Sequence, residues 1–427
     1  MTTAALNDEL PTDAPTAIPD AASERREYLR QSSIIAGGWL ATNLGLQIAL
    51  LPLKFVLKDE VHLTAAALSS FFFIGNFTNY IKPLAGVMTD SIPLCGTRRR
   101  HYLFFSLLSA GLFWILLSLV PRTYAWMLPV YAIMYVGVVF TSSTLGGVMV
   151  EAGNRFRAAG RLTAQRIGMF KLAELAGAPL GGYLASFPLL LPVAVCALLH
   201  FVLIPVLMRH LPPDPPLKQE KSPWKEVMRQ GKVLLGSRTL LGAGLMIFLL
   251  AAAPGLNTPL FYYQTNVLHF SKQFVGLLTT VMAASGILAA ILYYPACRRY
   301  SLRTIVAASI VAHALGALCF FWYRSPETAL LISVISGMTV TFAMLPVYDI
   351  SLRATPRGSE AIGYAVMMSM WNLTTNLSDL TGSWVFDLVG RKLGPLIWID
   401  AASTLVVLAA VPFMPRALSA REDPHVS

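Results

Sequence analysis

Apolar stretches of about eighteen residues or more recur along the whole chain, parted by short polar breaks. As helices, runs of that length cross the hydrocarbon core of a bilayer. A membrane barrel would instead alternate in segments of about ten residues, and no such period is present. The pattern predicts twelve spans near 33–57, 65–88, 102–120, 125–148, 163–187, 189–208, 239–262, 273–295, 303–322, 328–348, 361–386 and 394–414. The long polar break near 209–236 separates six spans from six. Its opening, RHLPPDPP, is too rich in proline to be helical, whereas PWKEVMRQGKVLL fits a short amphipathic surface helix.

Lysine and arginine orient these spans. They crowd the N-terminal stretch, the loops after the even-numbered spans and the C-terminal stretch, outnumbering those in the opposite loops by more than three to one. By the positive-inside rule both ends of the chain then lie in the cytoplasm. The expected organisation is a disordered cytoplasmic N-tail (1–32), a six-helix bundle (33–208), a cytoplasmic central loop (209–238), a second six-helix bundle (239–414) and a cytoplasmic C-tail (415–427). The N-terminal stretch lacks the basic start and apolar run of a signal peptide.

Composition fits this picture: 55% of the 427 residues are hydrophobic and 13% are charged. The net charge of +11 would suggest nucleic acid in a soluble protein. Here it marks cytoplasmic loops facing anionic lipid, so no nucleic-acid partner is expected. The four cysteines have no paired spacing, and neither a disulfide framework nor a metal site is indicated. Without a nucleotide-binding loop, metal cluster or catalytic triad, the sequence points away from an enzyme or primary pump, and no cofactor is expected.

The chain repeats itself. At an offset of 198, VEAGNRFRAAG after span 4 meets YDISLRATPRG after span 10, pairing Glu151 with Asp349 and Arg155 with Arg353. At an offset of 207, EVHLTAAALSSFF meets VLHFSKQFVGLLT, pairing His62 with His269. Six helices repeated in parallel across a long loop describe the major facilitator architecture, an all-α fold with its substrate site near the midplane between the halves. Rocking of the halves would give alternating access.

Candidate chemistry falls in two zones. At the cytoplasmic end of span 2, Gly86 and Asp90 precede Arg98, Arg99 and Arg100 at the start of span 3. A carboxylate held against guanidiniums can latch that mouth, with Glu151–Arg155 and Asp349–Arg353 as i,i+4 partners in the same gate. The blander alternative is that these residues only mark topology. At membrane depth each charge costs roughly 3 kcal/mol or more and needs a partner or a wet cavity. Asn43 and Gln47 of span 1, Asn76, Asn79 and Lys82 of span 2, Lys171 and Glu174 of span 5, and Trp371, Asn372 and Asn376 of span 11 form polar stripes for a hydrophilic solute. Asp379, without an evident basic partner, and Glu174 are the carboxylates placed to carry a coupling proton. Lys171–Glu174 could equally be a static pair, and Trp371 a packing residue.

The stretch KPLAGVMTDSIPLCGTRRRHYL resembles the signature loop of the folate-biopterin transporter family, and FVLKDEVHLT, NTPLFYYQTNVLHFSKQFVG and YAVMMSMWNLTTNLSD resemble it more weakly. The end of span 4 departs from the family pattern: GGVMVEAGNRFRAAG keeps one acid, Glu151. The resemblance implies a proton-coupled secondary transporter of an anionic folate- or pterin-like solute, with Lys82 or Lys171 supplying charge and Trp371 or Tyr262 stacking on a ring. The expected partners are a small-molecule substrate, protons and the lipid bilayer, for a monomer in a plasma membrane such as the bacterial inner membrane. A carrier of another solute (a sugar-peptide fragment or a drug) and a non-transporting receptor or scaffold stay open as alternatives.

Overall fold

A computed structural model describes residues 21–97, 99–211, 229, 232, 236–355 and 360–414. Among the described residues there is no β-strand beyond an isolated bridge, Leu94 with Thr97. The helices before the central break are α1 (Ala21–Asp59), α2 (Ala65–Gly75), α3 (Phe77–Tyr80), α4 (Lys82–Ser91), α5 (Arg100–Leu119), α6 (Tyr124–Arg155), α7 (Ala159–Leu184) and α8 (Leu190–His210). After it come α9 (Arg238–Ala251), α10 (Asn257–Asn266), α11 (Lys272–Arg299), α12 (Leu302–Cys319), α13 (Pro326–Ala354), α14 (Glu360–Leu388) and α15 (Leu393–Val406).

Eight of these helices, some lengthened by a 3-10 turn, are long and apolar enough to cross a membrane. The other four predicted spans correspond to helices that are broken or polar. Span 2 is split into α2, α3 and α4 by turns at Asn76 and Ile81, with Pro83 entering the last piece. Span 7 is split into α9 and α10 around Pro254 and Gly255. Within α7 lie Arg166, Lys171 and Glu174, and within α14 Asp379 and Asp387. Irregular backbone and charge at membrane depth persist only where protein or a wet cavity surrounds them.

The tail drawn over 1–32 is helical from Ala21, because Tyr28 packs edge-on against Phe156 and Gln31 is buried, donating to Glu27. Residues 1–20, the expected surface helix at 223–235 apart from Arg229 and Lys232, and the tail after 414 lie outside the described residues.

The internal repeat reappears in the backbone. After α1, the amides of Glu60, Val61 and Leu63 bond back to the carbonyls of Val56, Val56 and Leu57; after α10, those of Val267, Leu268 and Phe270 bond to Tyr263, Tyr263 and Gln264. His62 and His269 sit at the same point of the two turns with φ of 60° and 50°. Each is followed by a capping hydroxyl, Thr64 on Ala67 and Ser271 on Phe274. A second equivalence ties the other end of each half. Arg100, opening α5, donates to the Leu211 carbonyl after α8, and Arg303, near the start of α12, donates to the Met414 carbonyl past α15.

Packing distinguishes the two ends of the molecule. One apolar core draws from both halves, joining Phe55, Phe71 and Trp114 to Phe261, Tyr323 and Phe386. Towards the other end each half has a core of its own: Trp39, Leu107 and Leu145 in the first, Ile247, Val306 and Ile350 in the second. At the joined end α7 and α11 touch backbone to backbone, so that a Cβ on Gly182 would lie 2.9 Å from the Gly276 Cα. Small residues allow such an approach, and there is no flexible side chain to move aside.

Gly276→Val will therefore keep the joined end from sealing while each half still folds. In a cysteine-free background, a single cysteine replacing Ser186 will react several-fold faster with an impermeant maleimide in the valine variant. An unchanged labelling rate would mean that the contact does not hold this end shut.

Candidate transport site

The break in span 7 leaves backbone groups without helical partners, and α14 supplies them. Gly255 donates its amide to the Ser378 carbonyl at 2.8 Å, and the Ser378 hydroxyl bonds to the Ala253 carbonyl. Asp379 takes both donors of Thr258, the amide at 2.8 Å on Oδ1 and the hydroxyl at 2.7 Å on Oδ2. Its carboxylate thus caps the N-terminus of α10, where orphan amides and the helix dipole favour an anion. Among the described residues no cation forms an ion pair with Asp379. Lys54, buried near the C-terminal end of α1, has Asp379 as its electrostatic neighbour and donates to Asn257 Oδ1 at 3.3 Å. That neighbour comes from the other half of the chain, beyond the reach of a periodicity argument.

Span 2 and α14 meet across the halves at asparagines. Tyr131 donates to Asn76 Oδ1 at 3.0 Å, and Asn76 Nδ2 donates to Asn376 Oδ1 at 3.1 Å. Asn376 in turn donates to the Asn372 carbonyl. Nearer the sealed end, Asp387 of α14 accepts the Ala66 amide at 2.9 Å, capping α2 of the first half. Lys272 reaches the Ala185 carbonyl at 2.9 Å and Tyr262 donates to the Leu63 carbonyl. Tyr262, considered for ring stacking, is therefore buried in the seal.

The remaining polar candidates separate by what they touch. Asn79 donates to Tyr135, and Lys82 to the Ser142 hydroxyl at 2.7 Å. Lys171 and Glu174 pair at 2.9 Å, both half-buried. Asn43 is satisfied by the Trp39 carbonyl of its own helix. The Gln47 Cβ lies against the α7 backbone at Gly177, where a Cβ would be 2.5 Å away. Trp371 packs on the separate core of the second half. Sequence reasoning missed Arg166, although it falls within predicted span 5. It lies inside α7, with its guanidinium over the Trp39 ring at 4.3 Å and Lys82, Tyr348 and Tyr364 as electrostatic neighbours. The available signal was its spacing of eight residues before Glu174, about two helical turns, which puts both on one broad face.

At the unsealed end Arg99 is buried and donates to Glu151 at 2.6 Å. Gly147 makes room for it, since a Cβ there would fall 1.7 Å from Arg99 Nη1. The expected pair Glu151–Arg155 does not form: Arg155 bonds Glu27 at 2.9 Å, because α1 extends far enough to meet it. Asp349–Arg353 does form, at 2.6 Å. Arg100 clamps Leu211 within its own half, and Gly86 has open space around its Cα. Arg98 and the side chain of Asp90 lie outside the described residues.

The fold has close counterparts among solved structures. It superposes on the nucleoside transporter NupG with a TM-score of 0.69 at 15% identity, covering 91% of this chain and 99% of that one. On a D-xylose-proton symporter the TM-score is 0.70 at 12% identity, covering 91% and 98%. These are major facilitator transporters, and at such identities the likeness shows that this chain shares their all-helical fold.

The family is narrower. The BT1 family profile matches residues 44–418, and the chain belongs to that family. It is 27% identical over 399 residues to a folate-biopterin transporter of Synechocystis, covering 87% of this chain and 79% of the relative. A probable folate-biopterin transporter of Arabidopsis thaliana is 22% identical over 418 residues, covering 80% and 85%. Folate transporter 1 of Plasmodium falciparum is 22% identical over 351 residues, covering 78% and 68%.

If Asp379 caps α10, Asp379→Ala will destabilise the protein by about 1–3 kcal/mol, the usual cost of unpaired buried donors. Asp379→Asn, which keeps one acceptor, will cost less than half of that. Denaturant unfolding in detergent measures both; equal losses from the two variants would discard the capping role.

Proposed function

We propose that this protein is a twelve-span secondary transporter that moves a small anionic, folate- or pterin-like solute by alternating access, coupled to protons, with both ends of the chain in the cytoplasm. The observation that carries the reading is a pair of basic side chains without a carboxylate partner among the described residues: Lys82 of α4 and Arg166 of α7 are electrostatic neighbours, and α7 also carries the Lys171–Glu174 pair. Charges at that depth are costly and are kept where a polar solute or ion must pass. The relatives' names point to folates and biopterin as the solute class.

In this reading the seal around Gly182, Gly276 and Asp387 faces the outside, and the separate cores flank a path open to the cytoplasm. Return of the halves requires breaking the Asn76–Asn376 and Asp387–Ala66 bonds and closing the Arg99–Glu151 and Asp349–Arg353 end. Glu174 is the better proton carrier of the two acids considered. Its partner Lys171 lies on the same helix and can exchange it for a solute anion, whereas Asp379 is occupied by Thr258.

Proteoliposomes with an imposed pH gradient test this directly. Uptake of labelled folate or biopterin will rise several-fold with the gradient, and Glu174→Gln will abolish that rise while leaving exchange of internal for external solute. Uptake of some unrelated solute, with no response to either pterin, would retain the transporter fold and reject this substrate.

A further inference from the structure

We propose that Arg166 and Lys82 form a two-cation cradle that selects solutes bearing a pair of carboxylates over the same ring system without them. The inference rests on the transporter reading above and adds what the site discriminates. The two side chains come from different helices. Lys82 opens α4 just after the turn at Ile81 and is held by the Ser142 hydroxyl of α6 at 2.7 Å. Arg166 belongs to α7 and lies over the Trp39 ring of α1, its Cζ 4.3 Å from the ring centre.

Neither cation has a carboxylate partner among the described residues. Glu174 of α7 is engaged by Lys171 at 2.9 Å. Lys82 and Arg166 are thus left as two neighbouring basic groups without a counter-charge. Such a surplus draws in an anion of matching charge, and like-charged neighbours such as Lys82 and Arg166 hold each other apart until one arrives. The aromatic face fixes the guanidinium by a cation–π contact, so its planar fork is already oriented for a carboxylate, which a mobile lysine could not offer.

The second half supplies the rest of the wall. Tyr348 of α13 and Tyr364 of α14 are electrostatic neighbours of Arg166. A dicarboxylate seated on Arg166 and Lys82 would lie against both tyrosines. Its charge would then join the halves where their own cores are separate. The tail of the solute, not the ring, would thus favour closure of the open end.

Three probes that share the pterin ring and carry two, one and no carboxylates test the cradle on the purified full-length protein in detergent: folic acid with its glutamate tail, pteroic acid and biopterin. Intrinsic tryptophan fluorescence or calorimetry gives each Kd. Affinity is expected to fall by about tenfold at each step down this series. Arg166→Gln and Lys82→Gln will each cost folic acid at least about tenfold more affinity than they cost biopterin. Arg166→Lys, which keeps charge but loses the fork, will fall between. Free glutarate will compete with folic acid and not with biopterin in the unaltered protein, an arm that needs no variant to fold.

Equal affinity for all three probes, or variants that weaken biopterin as much as folic acid, would overturn the cradle and leave the pterin transporter standing. Failure of all three to bind would overturn the pterin reading and the cradle with it.

Discussion

Inside a bilayer an unpaired backbone amide or carbonyl has no water to turn to, so every break in a spanning helix must be repaired by another part of the protein. That constraint organises this molecule. The interruption at Pro254 and Gly255 exposes Ala253, Gly255 and Thr258, and one short stretch of α14, Ser378 and Asp379, satisfies all three. About two turns further along the same helix Asp387 caps α2 of the opposite half, and before Ser378 Asn376 meets the turn at Asn76. A single helix thus mends breaks on both sides of the pseudo-symmetry axis. Its polarity is the counterpart of irregular backbone elsewhere and makes it too hydrophilic to register as an ordinary span.

The consequences reach the gates. Caps such as Asp387 on α2 and Tyr262 on Leu63 are polar contacts that can be exchanged for water, while the Gly182–Gly276 approach is van der Waals packing without an alternative partner. An end sealed by both kinds is closed firmly yet can open, because the polar groups do not become orphans when they part into a wet crevice. At the opposite end the cores are separate, and the strong pairs found there, Arg99 with Glu151 and Arg353 with Asp349, lie within one half each. Each pair stiffens its own half.

The internal repeat carries a physical lesson of its own. His62 and His269 occupy left-handed turns that most side chains avoid, each followed by a hydroxyl cap, so the matching letters mark a shared backbone need. The Arg100–Leu211 and Arg303–Met414 clamps are equally repeated yet were not legible, since a carbonyl acceptor leaves no trace in the identity of its residue. The i,i+4 rule was right for Asp349–Arg353 and wrong for Glu151–Arg155. In the second case helix α1 brings Glu27 within reach and Arg99 fills the slot at Gly147, and tertiary partners outweigh a local pair worth a few tenths of a kcal/mol.

What the sequence determined by itself is whatever follows from the solvent. Apolar runs of bilayer length mark the helices, and the signature stretch at 82–103 marks the family. The repeated loops gave the equivalence of the two turns around His62 and His269, because turn chemistry is local. What only the tertiary structure decided is who satisfies whom: that Asp379 is a cap with Lys54 beside it, that Tyr262 belongs to a seal, and that Arg166 of span 5 lies over Trp39 of span 1. Those assignments depend on distances between residues hundreds of positions apart. Helical periodicity fixes a face of a helix but not which helix it meets.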